Sequence, residues 1–242
     1  MTYRELFGDR KPVIGMLHLK GDGRMTVLER TCKEIDIYLD CGVDALLVEN
    51  YFGSADDCEE VLAWLQAKLP RAIYGVNILD DYGRAFALSA RYGAKFIQID
   101  SVCGHLPPQH DAFYAEQLAK YRRNSDAVLL GGVRFKYQPV RSGRALAEDL
   151  RLGAERCDAI VVTGEGTGMA TPQEKVSEFR GILGSFPLVV GAGVTLDTVE
   201  ETFVLGDGAI VGSYFKQGHR DTGDVERAHV EAFMQRKRAL EA

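Results

Sequence analysis

The sequence predicts an α/β fold, a single (βα)8 TIM barrel over residues 1–242, on three observations. Short apolar runs recur along the whole chain, longer stretches of helical periodicity separate them, and one turn-and-strand design repeats at every second run. The runs are Val13–Leu19, Ala45–Glu49, Ile73–Leu79, Phe96–Val102, Val128–Phe135, Ala159–Thr163, Leu188–Val194 and Ala209–Ser213. They are apolar without strict alternation, as strands buried on both faces of a helix-covered parallel sheet must be.

The intervening stretches Asp56–Leu69, Tyr82–Tyr92, Gly143–Arg156 and Pro172–Leu183 read as amphipathic helices. The last has a clear start, with Thr171 as N-cap, Pro172 at the first helical position and Glu174 three residues after the cap. The repeat is carried by Gly42–Glu49, Gly93–Asp100, Cys157–Thr163 and Gly206–Ser213, in each of which a helix ends, a small turn follows and a buried strand begins. These segments fall at the second, fourth, sixth and eighth strands, a regularity that suits a closed barrel and leaves no place for a domain boundary. A doubly wound open sheet calls for a G-x-G-x-x-G turn after its first strand, and none is present.

A formal net charge of −6 with no concentrated basic face argues against a nucleic-acid partner. The short basic stretch Arg236–Arg238 is flanked by Glu231 and Glu241 and reads as a solvated helix face. Five cysteines, an odd number with no C-x-x-C pair, read as reduced thiols. The N-terminus lacks the apolar core of a signal peptide and no run is long enough to span a bilayer. The expectation is a cytoplasmic protein with no membrane insertion. Pairing into a homo-oligomer is compatible with such a barrel.

In a barrel of this kind function sits at the C-terminal ends of the strands, which confines the search to a few residues. The seventh strand runs into Gly191-Ala-Gly193-Val194-Thr195, and the eighth into Gly212-Ser213. Phosphate-binding barrels place their anion at these two loops, on backbone N–H groups that glycine lets a ligand approach. The paired pattern predicts a phosphate cradle of Gly191, Gly193, Val194, Thr195, Gly212 and Ser213. The plainer alternative is that Gly191 and Gly193 relieve crowding at the barrel mouth while Ser213 caps the next helix.

The other strand ends supply the chemistry: His18, Glu49-Asn50, Asn77, Asp100, Arg134 with Lys136, and Thr163 with Glu165. Glu49 is the first choice as general acid or base, because a carboxylate at the rim of an apolar barrel is partly desolvated and its pKa rises toward neutrality. Asp100 is the second carboxylate. His18 is suited to proton transfer, metal binding or a purely structural hydrogen bond. Lys136 is suited to hold an anion or a developing oxyanion. Asn50, Asn77, Arg134, Thr163 and Glu165 are expected to position substrate, with Glu165 in the glycine-rich loop Gly164–Gly168. No cofactor is predicted. His18, Glu49 and Asp100 have the ligand types for a divalent metal but not a diagnostic spacing.

Together Val13–Leu19, Asp44–Asn50, Gly75–Asn77, Ile160–Gly164 with Thr167-Gly168, Val190–Thr195 and Ala209–Ser213 resemble the BtpA/SgcQ family over nearly the whole chain. The resemblance implies a TIM barrel of the phosphate-binding kind, in a family named for a role in photosystem I biogenesis. The glycine pair is also similar to that of the tryptophan synthase α subunit, where a glutamate ending the second strand takes part in catalysis, and this supports Glu49 by analogy. The chain departs from the family pattern in the short loop Lys20-Gly-Asp-Gly-Arg24 and in Tyr137, which follows Lys136 where a histidine is common.

The leading functional reading is an enzyme acting on a small phosphorylated metabolite, a sugar phosphate or nucleotide-like compound, by lyase, isomerase or epimerase chemistry. One alternative is a metal-assisted hydrolase of a nucleoside or phosphorylated compound using His18, Glu49 and Asp100. The other is a non-enzymatic biogenesis factor for a membrane complex.

Overall fold

The computed structural model describes residues 1–21 and 25–241. Asp22, Gly23 and Arg24 of the short loop after the first strand lie outside them. Eight parallel strands close into a barrel in the order of the chain. They are β1 (Val13–Leu17), β2 (Ala45–Glu49), β3 (Tyr74–Asn77), β4 (Phe96–Cys103), β5 (Val128–Val133), β6 (Ala159–Val162), β7 (Leu188–Val190) and β8 (Gly208–Val211). The helices are α1 (Tyr3–Phe7), α2 (Val27–Asp40), α3 (Ala55–Lys68), α4 (Tyr82–Tyr92), α5 (Pro108–Arg123), α6 (Leu146–Arg156), α7 (Gln173–Leu183), α8 (Val199–Leu205) and α9 (Arg227–Glu241).

Two apolar layers hold the barrel. Ile14, Leu47, Phe96, Val128, Leu130, Val161 and Val189 fill its interior, and the opposite strand faces pack against the helices. Helix α1, which the hydrophobic pattern did not reveal, closes the N-terminal end. Phe7 sits 6.3 Å from the Phe96 ring, and the Tyr3 hydroxyl donates to the carbonyl of Asp207 at 2.9 Å. The interior therefore opens at the other end, where the loops after each strand gather.

The internal repeat has a specific physical basis. Asp44, Asp158 and Asp207, each just before an even-numbered strand, clamp one residue of the strand before it. The Asp158 amide donates to the carbonyl of Leu129 at 2.8 Å, and its carboxylate accepts the Leu129 amide, also at 2.8 Å. Asp44 does the same to Val13 and Asp207 to Leu188. The fourth copy, before β4, carries Lys95 and keeps only the backbone half, its amide donating to the carbonyl of Tyr74. Replacing Asp158 by Ala leaves the Leu129 amide unpaired and also removes the Arg122 ion pair. The expected cost is about 2 kcal/mol, read as a Tm lowered by roughly 4–8 °C in calorimetry.

Two expectations about local structure are corrected. Thr171 does not cap α7; Pro172 occupies the cap position, and the Thr171 hydroxyl donates to the carbonyl of Ala192 at 3.0 Å, tying the loop after β6 to the loop after β7. Six of the eight strand runs are also shorter at their C-terminal ends than the apolar pattern suggests, while β2 ends at Glu49 as expected and β4 runs on to Cys103. Leu19, Arg134 and Gly193 follow β1, β5 and β7 with φ of 54°, 48° and 64°, which turns the backbone out of the extended region. None of the described helices is long and apolar enough to cross a membrane, and all five cysteines are free thiols.

Candidate functional site

At the mouth of the barrel the ends of β2, β3 and β4 bring two carboxylates onto one amide. Asn77 Nδ2 donates to Glu49 Oε2 at 2.7 Å and to Asp100 Oδ1 at 3.0 Å. The register makes this possible, because Glu49 and Asn77 are paired neighbours on adjacent strands. Glu49 is 6% exposed. Burial, and then the charge of Asp100, push its carboxyl up to about 7, while Lys136 and the Asn77 hydrogen bond pull the other way. Burial raises Asp100 as well, against hydrogen bonds from Asn77 and Gln98. A carboxyl near neutrality exchanges protons in either direction at little cost, which is what a general acid–base needs.

Lys136, on the loop after β5, acts on both carboxyls through its charge. Its amide donates to Thr163 Oγ1 at 2.8 Å, and its Nζ donates to Thr167 Oγ1 at 3.1 Å. Thr167 is held from three sides, since the Tyr51 hydroxyl also approaches it and its amide donates to the Tyr137 hydroxyl at 2.8 Å. Tyr137 thus fastens the loop after β6 over the mouth.

The loops after β7 and β8 wall a cavity of about 320 Å³ that also receives His18, Lys136 and Thr167. Among the described residues, the amides of Gly193, Val194 and Ser213 donate to no protein acceptor, whereas those of Gly191 and Thr195 are used on Val162 O and Thr198 Oγ1. The glycines have packing reasons of their own. A Cβ on Gly193 would stand 2.1 Å from the carbonyl oxygen of Met169, and one on Gly191 would stand 2.5 Å from Val161. At Gly191 the crowding alternative therefore accounts for the residue. At Gly193 the positive φ and the close approach of the loop after β6 require glycine whether or not a ligand is present. Ser213 caps no α-helix; it is buried at the first position of a short 3-10 turn, Ser213–Phe215.

One residue packed behind this cavity escaped the sequence reading. Lys216, 1% exposed, folds back from that turn and places Nζ 2.8 Å from His18 Nδ1 and 3.0 Å from the carbonyl oxygen of Asp221. Burial lowers the pKa of Lys216; burial, then the Lys216 charge, lowers that of His18 well below its ordinary value. With Lys216 as the ammonium, which only donates, His18 accepts at Nδ1 and carries its ring proton on Nε2. That edge faces the cavity wall, 3.5 Å from where a Gly212 Cβ would be. The signal in sequence was a lysine closing an aromatic pair after the last strand, which has no diagnostic spacing.

Four further expected site residues are placed as follows. Thr163 is buried and supports Lys136. Arg134 lines neither this cavity nor the second one beside β3 and β4, and donates to Asp149 Oδ2 at 3.1 and 3.0 Å through Nε and Nη2. Asn50 accepts the Leu79 amide at 2.8 Å, and Glu165 is exposed on the loop after β6. Among the described residues, no three His, Cys, Asp or Glu side chains group so as to hold a metal ion, because His18 is turned toward Lys216 while Glu49 and Asp100 meet at Asn77.

Fold and mouth define a (βα)8 TIM barrel with an ionisable cluster at its C-terminal end. The chain belongs to the BtpA family, whose model matches residues 9–239. It is 25% identical to the photosystem I biogenesis protein BtpA of Synechocystis sp. over 97% of this chain and 91% of that protein. It is 24% identical to the putative sgc region protein SgcQ of Escherichia coli over 96% of each. Among solved structures, phosphoribosyl anthranilate isomerase from Thermus thermophilus superposes with a TM-score of 0.63 at 14% identity, covering 95% of this chain and 99% of that one. That last likeness is one of fold.

Proposed function

We propose that this protein is an enzyme that moves a proton on a small phosphorylated metabolite, in lyase, isomerase or epimerase chemistry. The observation that carries the reading is Glu49, a buried carboxyl raised to about 7, sharing Asn77 with Asp100 and sensing the charge of Lys136. Glu49 as carboxylate takes a proton from carbon next to a carbonyl. The electron pair moves to the carbonyl oxygen, where the Lys136 ammonium meets the developing charge. In an isomerisation Glu49 returns the proton to the former carbonyl carbon, while the proton of the adjacent hydroxyl passes to the oxygen that carried the charge. In an epimerisation a second acid on the opposite face, for which Asp100 is the candidate, delivers the proton instead.

The phosphate is assigned to the 320 Å³ cavity, on the free amides of Gly193, Val194 and Ser213 and the Nε2–H of His18. Fixing a remote phosphate supplies binding energy that is used at the reacting end. The isomerase named above has, by its name, a phosphoribosyl substrate, and such compounds make a suitable first panel. The reading is tested by incubating the protein with phosphorylated aldoses and ketoses in D2O and following carbon-bound protons by NMR. Enzyme-dependent deuterium incorporation next to a carbonyl is expected for at least one of them. A panel that shows no exchange above the protein-free rate contradicts it.

A further inference from the structure

A second cavity of about 200 Å³ opens between the ends of β3 and β4 and the loop after β5. Asn77 and Asp100 line it, so the carboxylate–amide bridge that contacts Glu49 forms one of its walls, and Lys136 lines the first cavity. Its other walls carry polar atoms the fold leaves unused. Ser101 is 6% exposed, and its Oγ is buried with no hydrogen-bond partner among the described residues. His105 Nδ1 is likewise buried and unpartnered, while the Tyr114 hydroxyl beside them is spent on the carbonyl of Ser101 at 2.7 Å. Buried polar groups are normally paired, and an orphaned one facing a cavity marks a partner that arrives with a ligand.

We infer that this cavity holds the polyhydroxyl end of the substrate, a short sugar chain whose phosphate lies in the first cavity; the assignment rests on the function proposed above. Its walls mix groups that accept (Asp80, Asp100, and Asp81, whose Oδ1 already takes the Arg84 amide at 2.9 Å), groups that do both (Ser101, Gln138) and an imidazole, His105, that burial holds neutral. A hydroxyl donates and accepts, and it matches that mixture; a cationic group would call for acceptors alone. At roughly 30 Å³ per water, the space takes about six or seven water-sized groups, the scale of a few hydroxymethylene units. A carbonyl carbon between the two cavities then lies between Lys136 of the first and the Asn77–Asp100 wall of the second, with Glu49 bonded to that wall through Asn77.

The test is calorimetric titration of the full chain with inorganic phosphate, ribose 5-phosphate and phosphoethanolamine. Ribose 5-phosphate is expected to bind on the order of tenfold more tightly than inorganic phosphate. Ser101→Ala and Gln138→Ala are each expected to weaken ribose 5-phosphate on the order of tenfold and leave inorganic phosphate unchanged. Unchanged ribose 5-phosphate affinity in both variants, or tighter binding of phosphoethanolamine than of ribose 5-phosphate by wild type, overturns the polyol assignment. Ser213→Asp puts a carboxylate into the first cavity and is expected to abolish binding of both phosphates. If ribose 5-phosphate survives Ser213→Asp but is weakened by Ser101→Ala, the phosphate placement fails and the polyol cavity stands.

Discussion

Glu49→Gln is expected to abolish carbon-bound proton exchange while leaving ribose 5-phosphate affinity within about twofold of wild type. The replacement is nearly isosteric, and a Gln carbonyl accepts the Asn77 amide where Glu49 Oε2 does at 2.7 Å, so the barrel mouth is retained. What is lost is the group that carries the proton. A positioned acid–base contributes about 10²–10⁴-fold, and the exchange rate should fall by that factor. Exchange in Glu49→Gln at the wild-type rate would remove Glu49 from the chemistry and pass the role to Asp100. The same carboxyl makes the loss specific, because Asp100→Asn keeps a hydrogen-bonding partner for Asn77 and removes only the neighbouring charge that helps raise Glu49.

The second large effect is on stability. Glu49 ionises near 4.5 in the unfolded chain and at about 7 in the fold. Between those values the folded protein keeps a proton that the unfolded chain has lost. The stability linked to this proton is full below pH 4.5 and is lost as pH rises through about 7. The displacement corresponds to about 3 kcal/mol. Asp100, also raised, adds in the same direction; His18, lowered, acts in the opposite one. The difference between wild type and Glu49→Gln isolates Glu49. In urea unfolding, the variant should gain on wild type by about 3 kcal/mol between pH 4 and pH 8. A difference that does not change with pH would mean that Glu49 titrates normally in the fold.

Much of the fold and part of the site were legible before any coordinates. Eight buried strands announce themselves as apolar runs, and a polar residue at or near the C-terminal end of a run marks the mouth, which is how Glu49, Asn77 and Asp100 come to notice. The strand ends were overrun because Leu19, Phe135 and Val194 continue the apolar pattern after the backbone has left the sheet. The departure is made at Leu19 and Arg134 by a positive φ that neither side chain advertises. Thr171 carried a proper capping sequence, yet its hydroxyl is taken by Ala192, a tertiary contact that outcompetes a local one. Arg134 read as a substrate ligand by position, but the fully buried Asp149 of α6 needs its charge. Lys216, Ser101 and His105 carry no shared spacing: Lys216 folds back onto His18 after β8, Ser101 lies in the irregular stretch of β4, and His105 follows that strand.

The central claim is that the loops after β7 and β8 hold a phosphate, and backbone amide NMR on addition of ribose 5-phosphate tests it most directly. The amide resonances of Gly193, Val194 and Ser213, which lack protein acceptors among the described residues, are expected to move downfield together along one saturation curve. The amides of Gly191 and Thr195, already bonded to Val162 and Thr198, should move less. Saturable binding that leaves Gly193, Val194 and Ser213 unmoved would contradict the account.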